Sequence, residues 1–268
     1  MNYIQNLILS DEDYKWSYSR VSKYSDCKYA WFLKYIEDVE TEELFFSQFG
    51  KFVHKIYAEI LLGNLAKENA VEYFLANYRR EVTAKAPTDK TFSSYFNSGL
   101  AAMKNVDEFL NEIKDYEIVG VEIPVEFEVC GAKFVGIIDL LLKDKDENYI
   151  IVDHKSRTLK PRSKKGTLKS DKELDEYLEQ LYLYADAVNE IYGKYPTELW
   201  FHCYRNTDNK IIKEKYSDDT AVAVEFKTFA QIEEIKMNEV WTPNCDWFSC
   251  TNLCECHGEC EYYQAMFK

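Results

Sequence analysis

An α/β sandwich, one β-sheet with helices on both of its sides, is the fold class these 268 residues predict. Two textures carry that expectation. The first 115 residues read largely as helix, whereas 117–156 is rich in β-branched residues and broken only by short turns containing Gly, Asp and Asn. A further helical segment then separates two more strand-like runs, an order that sets helices against both faces of a single sheet. At 46% hydrophobic and 16% aromatic residues the chain can bury a substantial core. No internal repeat, low-complexity tract or Pro/Gly-rich linker divides it.

Taken in order, Ser19 or Ser22 can cap a helix running to about Tyr35, and further helices are expected over Gly50–Leu62, 68–82 and 94–114. EIVGVEIPVEFEV (117–129), KFVGIIDLLL (133–142) and NYIIVDHKS (148–156) form an antiparallel meander. Leu174–Tyr192 returns to helix, TELWFHCYR (197–205) and KIIKEKY (210–216) are strands, and 219–238 is a last helix before a cysteine-rich tail. The organisation is a helical N-terminal region (1–115), a core (116–240) and a tail (241–268), integrated in one domain.

Each of the two oily strands in VGIIDLLLKDKDENYIIVDHKSR (135–157) carries a carboxylate among core residues. If the turn centres near Asp146, residue i faces residue 292 − i, which puts Asp139 opposite Asp153 with Cβ atoms about 5 Å apart. Lys155 shares the face of Asp153, and His154 points the other way. Two partly desolvated carboxylates side by side resist ionisation unless a positive charge sits between them. A hard divalent cation, Mg2+ or Mn2+, is the simplest answer, because such ions prefer carboxylate oxygens and leave room for a phosphate. That combination points to phosphodiester hydrolysis, with Lys155 orienting water or neutralising developing charge. A buried Asp–Lys pair beside an exposed Asp is the bland reading; it does not explain the basic loop that follows.

Charge sharpens this. The formal net charge is −14, which by itself disfavours a polyanionic partner. Residues 155–172, KSRTLKPRSKKGTLKSDK, nevertheless carry +7, leaving −21 on the rest. No apolar run approaches the roughly 20 residues of a membrane span, and the N-terminus lacks the basic start of a secretory signal, so a cytoplasmic location is expected. In that reducing compartment eight cysteines, five of them between Cys245 and Cys260, suggest metal binding rather than disulfides. Cys130 and Cys203, set among apolar strand residues, read as free thiols.

GIID followed by a strand with D-x-K resembles the motif of the PD-(D/E)XK nuclease superfamily in its RecB-like branch. GKFVH (50–54) is similar to that branch's helical G-x-x-x-H, and QLYLYA (180–185) to its Q-x-x-x-Y helix, in which Gln180 and Tyr184 share one helical face. The resemblance implies a restriction-endonuclease-like central mixed sheet, His54 joining Asp139 and Asp153 at the metal, and Lys155, Gln180 and Tyr184 as catalytic and strand-positioning residues. Asp153 stands where Glu is commoner. Glu122, in VGVEIP, is a further carboxylate on the preceding strand, equally readable as solvent-facing. Arg157, Lys160, Arg162, Lys164 and Lys165 would then lie where a DNA backbone runs.

Cys27 lies in an aromatic segment similar to the N-terminal one of the RecB-like exonucleases that carry an iron-sulfur cluster, and Cys250-x3-Cys254-x5-Cys260 resembles their C-x2-C-x5-C with one gap lengthened. The resemblance implies a mainly structural 4Fe-4S cluster on Cys27, Cys250, Cys254 and Cys260, with Cys245 and Cys256 as alternates. Spacing alone also admits Zn2+, and His257 reads as exposed. Such a cluster would clasp the chain ends and restrict the unfolded state strongly. The implied activity is a single-strand-preferring DNA exonuclease of the kind used in phage recombination, DNA repair and CRISPR spacer acquisition, with partners from those systems. A zinc-clasped endonuclease on branched or duplex DNA and a non-catalytic DNA-binding module remain alternatives.

Overall fold

The computed structural model describes residues 14–206 and 210–267; the N-terminal stretch considered for a targeting signal lies outside them. Helices α1 (Tyr18–Asp26) and α2 (Lys28–Tyr35) come first, then α3 (Phe45–Leu61), α4 (Ala70–Glu81), α5 (Asp89–Lys104) and α6 (Val106–Ile113). Strands β1 (Glu117–Val129), β2 (Ala132–Lys143) and β3 (Tyr149–Lys155) are followed by α7 (Lys169–Tyr192), β4 (Glu198–Cys203), β5 (Ile211–Lys215), α8 (Asp218–Met237), and the short tail helices α9 (Trp247–Asn252) and α10 (Glu261–Phe267). The sheet runs in sequence order, β1 to β5. Only β3 and β4 pair in parallel, because α7 carries the chain back across the sheet between them.

Two expected helices are broken in two. Ser17, rather than Ser19 or Ser22, caps α1 by accepting from the Arg20 amide, and the run to Tyr35 stops at Cys27, whose extended backbone (φ −161°) ends one helix and whose sulfur caps the next at the Ala30 amide. The 94–114 helix starts earlier, behind the Thr88 cap, and divides at Asn105. Likewise α7 begins at Lys169, so the basic run ends inside a helix; the Asp171 carboxylate accepts from the backbone amides of Leu168 and Ser163, both at 2.7 Å. No helix among the described residues is long and apolar enough to cross a membrane.

The core lies on both faces of the sheet. Leu141, Ile151, Leu199 and Phe201 pack under α7 and α8, while Leu140, Leu142, Ile150, Val152 and Trp200 pack under α3 to α6. The hairpin register follows the 292 − i rule, Leu140 facing Val152 and Lys143 facing Tyr149. Asp144 sets the turn, its Oδ1 accepting from the amides of Asp146 (2.9 Å) and Asn148 (2.8 Å).

Beyond Leu140 the alternation fails. Ile138 lies in the α7-side core although Leu140, two residues on, lies in the opposite one; in β1, Ile123 and Val121 show the same reversal. Strict pleating puts residues i and i+2 on one face, so each strand slips a step at the same rung, where Glu122 faces Asp139 between the Val121–Leu140 and Ile123–Ile138 pairs. Glu122 absorbs the slip in a left-handed conformation (φ 50°), strain on the order of 1–3 kcal/mol that the packing on either side holds in place.

Candidate active site and cysteine cluster

The fault in the sheet is where polar side chains gather. His54, from the largely buried helix α3, places Nδ1 3.4 Å from Asp139 Oδ2. Among the described residues, the donor atoms that lie within 4.8 Å of one another are those of His54, Glu122 and Asp139. The sequence places Asp153 in that set. It adjoins the set instead, its Oδ2 2.8 Å from Lys155 Nζ in a charge pair. The expected face-to-face rung of Asp139 and Asp153 is replaced by a side-chain bond: Asp139 Oδ2 accepts from the His154 backbone amide at 2.8 Å. The β2–β3 ladder ends at Leu140–Val152, while on its other edge β3 goes on pairing with β4 as far as Lys155.

Burial governs the protonation of the group. Asp139 is pushed up to about 7, first by desolvation and then by the charge of Asp153, against the pull of the His154 amide and of Lys155. Glu122 is raised by its burial and then by Asp139. Desolvation lowers His54, which keeps the imidazole neutral and able to act as a ligand. For Lys155 burial pulls down, but Asp153 and Asp139 outweigh it and the net shift is upward, so the side chain is an ammonium at neutral pH and not a base. Two carboxylates and a neutral imidazole fit a hard divalent cation; nothing about the donor set favours a soft one.

Lys155 is held from behind. Its Nζ donates to Gln180 Oε1 at 3.1 Å, and Gln180 Nε2 donates to the Tyr184 hydroxyl at 3.2 Å. The Tyr184 ring occupies the space a Cβ on Gly136 would need, with ring atoms 2.8 Å from that point. Gly136 and Tyr184 therefore fit each other, and the tyrosine is at once a packing residue (7% exposed) and the prop of the amide.

The basic loop divides. Arg157 lies over the Tyr177 ring, bonded to its hydroxyl, and Lys160 lines a large cleft beside the site. Lys164 and Lys165 are exposed. Arg162 does not reach the cleft: Asp175 (2.7 Å) and Glu214 (2.8 Å) hold its guanidinium to α7 and β5. Arg205 is a cation that sequence reasoning misses. It lines that cleft from just beyond β4, bonded to the Ser156 carbonyl at 3.2 Å. Its apolar strand context carries no signal, since its position depends on β4 pairing with β3.

The cysteine tail packs against the first helices of the described residues. Asn244 donates its amide to Cys27 Sγ (3.4 Å), and Cys250 Sγ donates to the Asn244 carbonyl (3.7 Å). Burial raises Cys250 to about 11, with Cys245, Cys254 and Cys27 adding to it; burial likewise raises Cys260, with Cys254 and Cys27 contributing. Cys254 goes the other way, to about 6, chiefly through a hydrogen bond from Cys256. Cys256 itself is fully buried, its Sγ donating to the Ala30 carbonyl (3.6 Å). His257 is not the exposed residue expected, its Nδ1 lying 2.9 Å from the Cys254 carbonyl. Cys203 is buried and Cys130 exposed, both as free thiols. The tail is also docked without its sulfurs, by Trp241 stacked on Trp31 and Phe32, and by Glu255 paired with Lys23 and Lys34, each at 2.8 Å.

Comparison with known proteins bears on these sites. An ATP-dependent helicase/nuclease protein of Desulforamulus reducens is 25% identical over 167 residues, 59% of this chain but 13% of that protein. The crystal structure of a candidate exonuclease from Eubacterium rectale matches with a TM-score of 0.55 at 14% identity, covering 96% of this chain and 91% of that one, which supports the fold. The family model of the PD-(D/E)XK nuclease superfamily matches residues 15–262. With that match running through His54, the D-x-K strand and the cysteine tail alike, the chain belongs to the PD-(D/E)XK nuclease superfamily.

Proposed function

We propose that this nuclease is a divalent-metal-dependent deoxyribonuclease, an exonuclease that prefers single strands, stabilised by a 4Fe-4S cluster. The observation that carries the catalytic reading is the relay Tyr184–Gln180–Lys155–Asp153 ending beside His54, Glu122 and Asp139. Mg2+ or Mn2+ would be held by His54, Glu122 and Asp139, whose donor atoms converge, with Asp153 adjoining, and would supply charge for the scissile phosphate and a lowered pKa for water. The chain's own groups do the rest. Lys155, charged and aimed by Gln180, neutralises charge developing on the phosphate; Asp153 keeps that ammonium from swinging away. Asp139 exchanges a proton for the cation, which its pKa near 7 makes easy at physiological pH.

The strand preference rests on depth. Side chains of Asp139, Asp153 and Lys155 are 7–17% exposed, so the phosphodiester must come to them, which a flexible strand does more readily than a stiff duplex. The name of the Eubacterium rectale neighbour supports an exonuclease. The helicase/nuclease name of the curated relative supports partners in recombination or repair, such as a helicase. For the cluster, Cys27, Cys250, Cys254 and Cys260 are the ligand set the resemblance implies, with Cys245 and Cys256 as alternates.

End-labelled linear and circular single-stranded DNA, incubated with Mg2+ or Mn2+ and with EDTA, tests the activity: cation-dependent loss of the linear substrate alone is expected, and cleavage of the circle would make the enzyme an endonuclease. Visible absorption of anaerobically purified protein near 400 nm, on the order expected for an iron-sulfur chromophore, separates the cluster from zinc.

A further inference from the structure

The cleft lined by His54, Glu122 and Lys155 continues, through Phe46, Ser156 and Arg157, into a larger one of about 1440 Å³. Three rings from distant parts of the chain line this second cleft in a row. Phe46 of α3 stands 5.0 Å from Tyr95 of α5 and 6.5 Å from Phe248 of the cysteine tail, centroid to centroid. The Arg205 guanidinium lies 3.6 Å from the centre of the Tyr95 ring, fixed there by the Ser98 hydroxyl at 3.1 Å. Phe248 is 46% exposed, and Leu168 and Leu253 at the rim are exposed by more than half. Such apolar surface costs free energy in water unless something covers it.

Charge identifies the occupant. The same cleft carries Arg157, Lys160, Lys169 and Arg205 against one carboxylate, Glu173, in a chain of net −14, so its complement is an anion that also presents flat apolar faces. A nucleic acid strand does both. In a duplex the base faces are consumed by stacking on each other; an unpaired strand has them free for aromatic side chains. We propose that this cleft is a base-stacking subsite for single-stranded DNA, with Phe46 and Phe248 as platforms, Arg205 on Tyr95 as a fixed cation, and Lys160 and Lys169 beside the backbone. The proposal rests on the nuclease reading and deepens it. It gives the cysteine tail a second role, because Phe248 sits two residues before Cys250 and the clasp that holds one holds the other.

The test compares a fluorescently labelled oligothymidylate with an abasic strand of equal length, which keeps the phosphates and lacks the faces. The 268-residue chain should cleave the thymidylate with a kcat/KM roughly five- to hundred-fold higher. In Phe248→Leu that ratio should fall toward one, and Phe248→Tyr should restore it; Phe46→Leu, remote from the cysteines, repeats the test where loss of the cluster is not a concern. A ratio unchanged in both leucine variants overturns the subsite. Anisotropy of the two strands in EDTA separates this from the catalytic reading. Wild-type protein that cleaves neither strand yet binds the thymidylate more tightly sinks the nuclease mechanism and leaves the subsite standing, whereas equal binding of both strands overturns the subsite whatever the cleavage shows.

Discussion

At the fault in the sheet, oxygen and nitrogen donors from α3, β1 and β2 converge within 4.8 Å, each on an element that also contributes buried side chains to the core. In the tail, sulfurs from Cys27 and from Cys250 to Cys260 converge on short segments with few buried residues, α9 having none. The first arrangement stands without a cation because Asp139, raised to about 7, can keep a proton. The second gathers groups that become negative on binding and would repel each other unless filled, although aromatic and ionic contacts already bring it together. On the proposed reading the first centre, positioned by packing, should govern rate, and the second, once filled, should add stability to a tail that aromatic and ionic contacts already dock.

The widest separation between the two should come from the catalytic side chains. Asp139→Asn or Lys155→Ala should lower cleavage by about 10²- to 10³-fold or more; in EDTA the melting temperature should hold or rise for Asp139→Asn, since a carboxylate that burial penalises is gone, and fall for Lys155→Ala, which leaves Asp153 buried without its partner. Single-turnover cleavage and thermal melts measure this; either variant cleaving at the wild-type rate removes the mechanism. Cys27→Ser and Cys250→Ser should do the reverse, bleaching the visible absorption and lowering unfolding stability by on the order of a few kcal/mol. Cys256→Ser should keep the absorption, and a colourless Cys256→Ser protein would reassign the ligands.

Smaller effects probe how the first site is propped. Gly136→Ala forces the Tyr184 ring aside and loosens Gln180, so kcat should fall about ten- to hundred-fold with little change in fold, read from kcat and circular dichroism. The smallest is the pH response. With Mg2+ below saturation, cleavage should rise with pH through about 7 as Asp139 gives up its proton. In EDTA the sign is opposite for stability: a carboxyl raised from 3.8 to about 7 in the folded state stabilises when protonated, so the melting temperature should decline as pH climbs through that window, and added Mg2+ should cancel the decline. A melting temperature indifferent to pH in EDTA would mean that Asp139 is not desolvated as described.

Much of this is readable from local chemistry. Asp144 and the polar turn around it set the β2–β3 register, because a hairpin's pairing is dictated by its turn. D-x-K and Q-x-x-x-Y lie on regular elements whose periodicity is local. Glu122 is harder. In sequence it is an extra carboxylate on a strand that reads as strictly alternating, and a left-handed glutamate leaves no mark on composition or periodicity. Proximity to D-x-K points Arg162 at DNA, yet its partners Asp175 and Glu214 come from elements 13 and 52 positions further on.

Strand register, helix faces and the identity of the chemical groups were thus decided by neighbours a few residues apart, where turn chemistry and side-chain period act. Which face Asp139 serves, whether Asp153 binds the cation or the lysine first, and how Phe46, Tyr95 and Phe248 line one cleft were decided only when both faces of the sheet were packed. Close packing forces the two strands to slip at a common rung, and a constraint shared between distant segments cannot be written into either one alone.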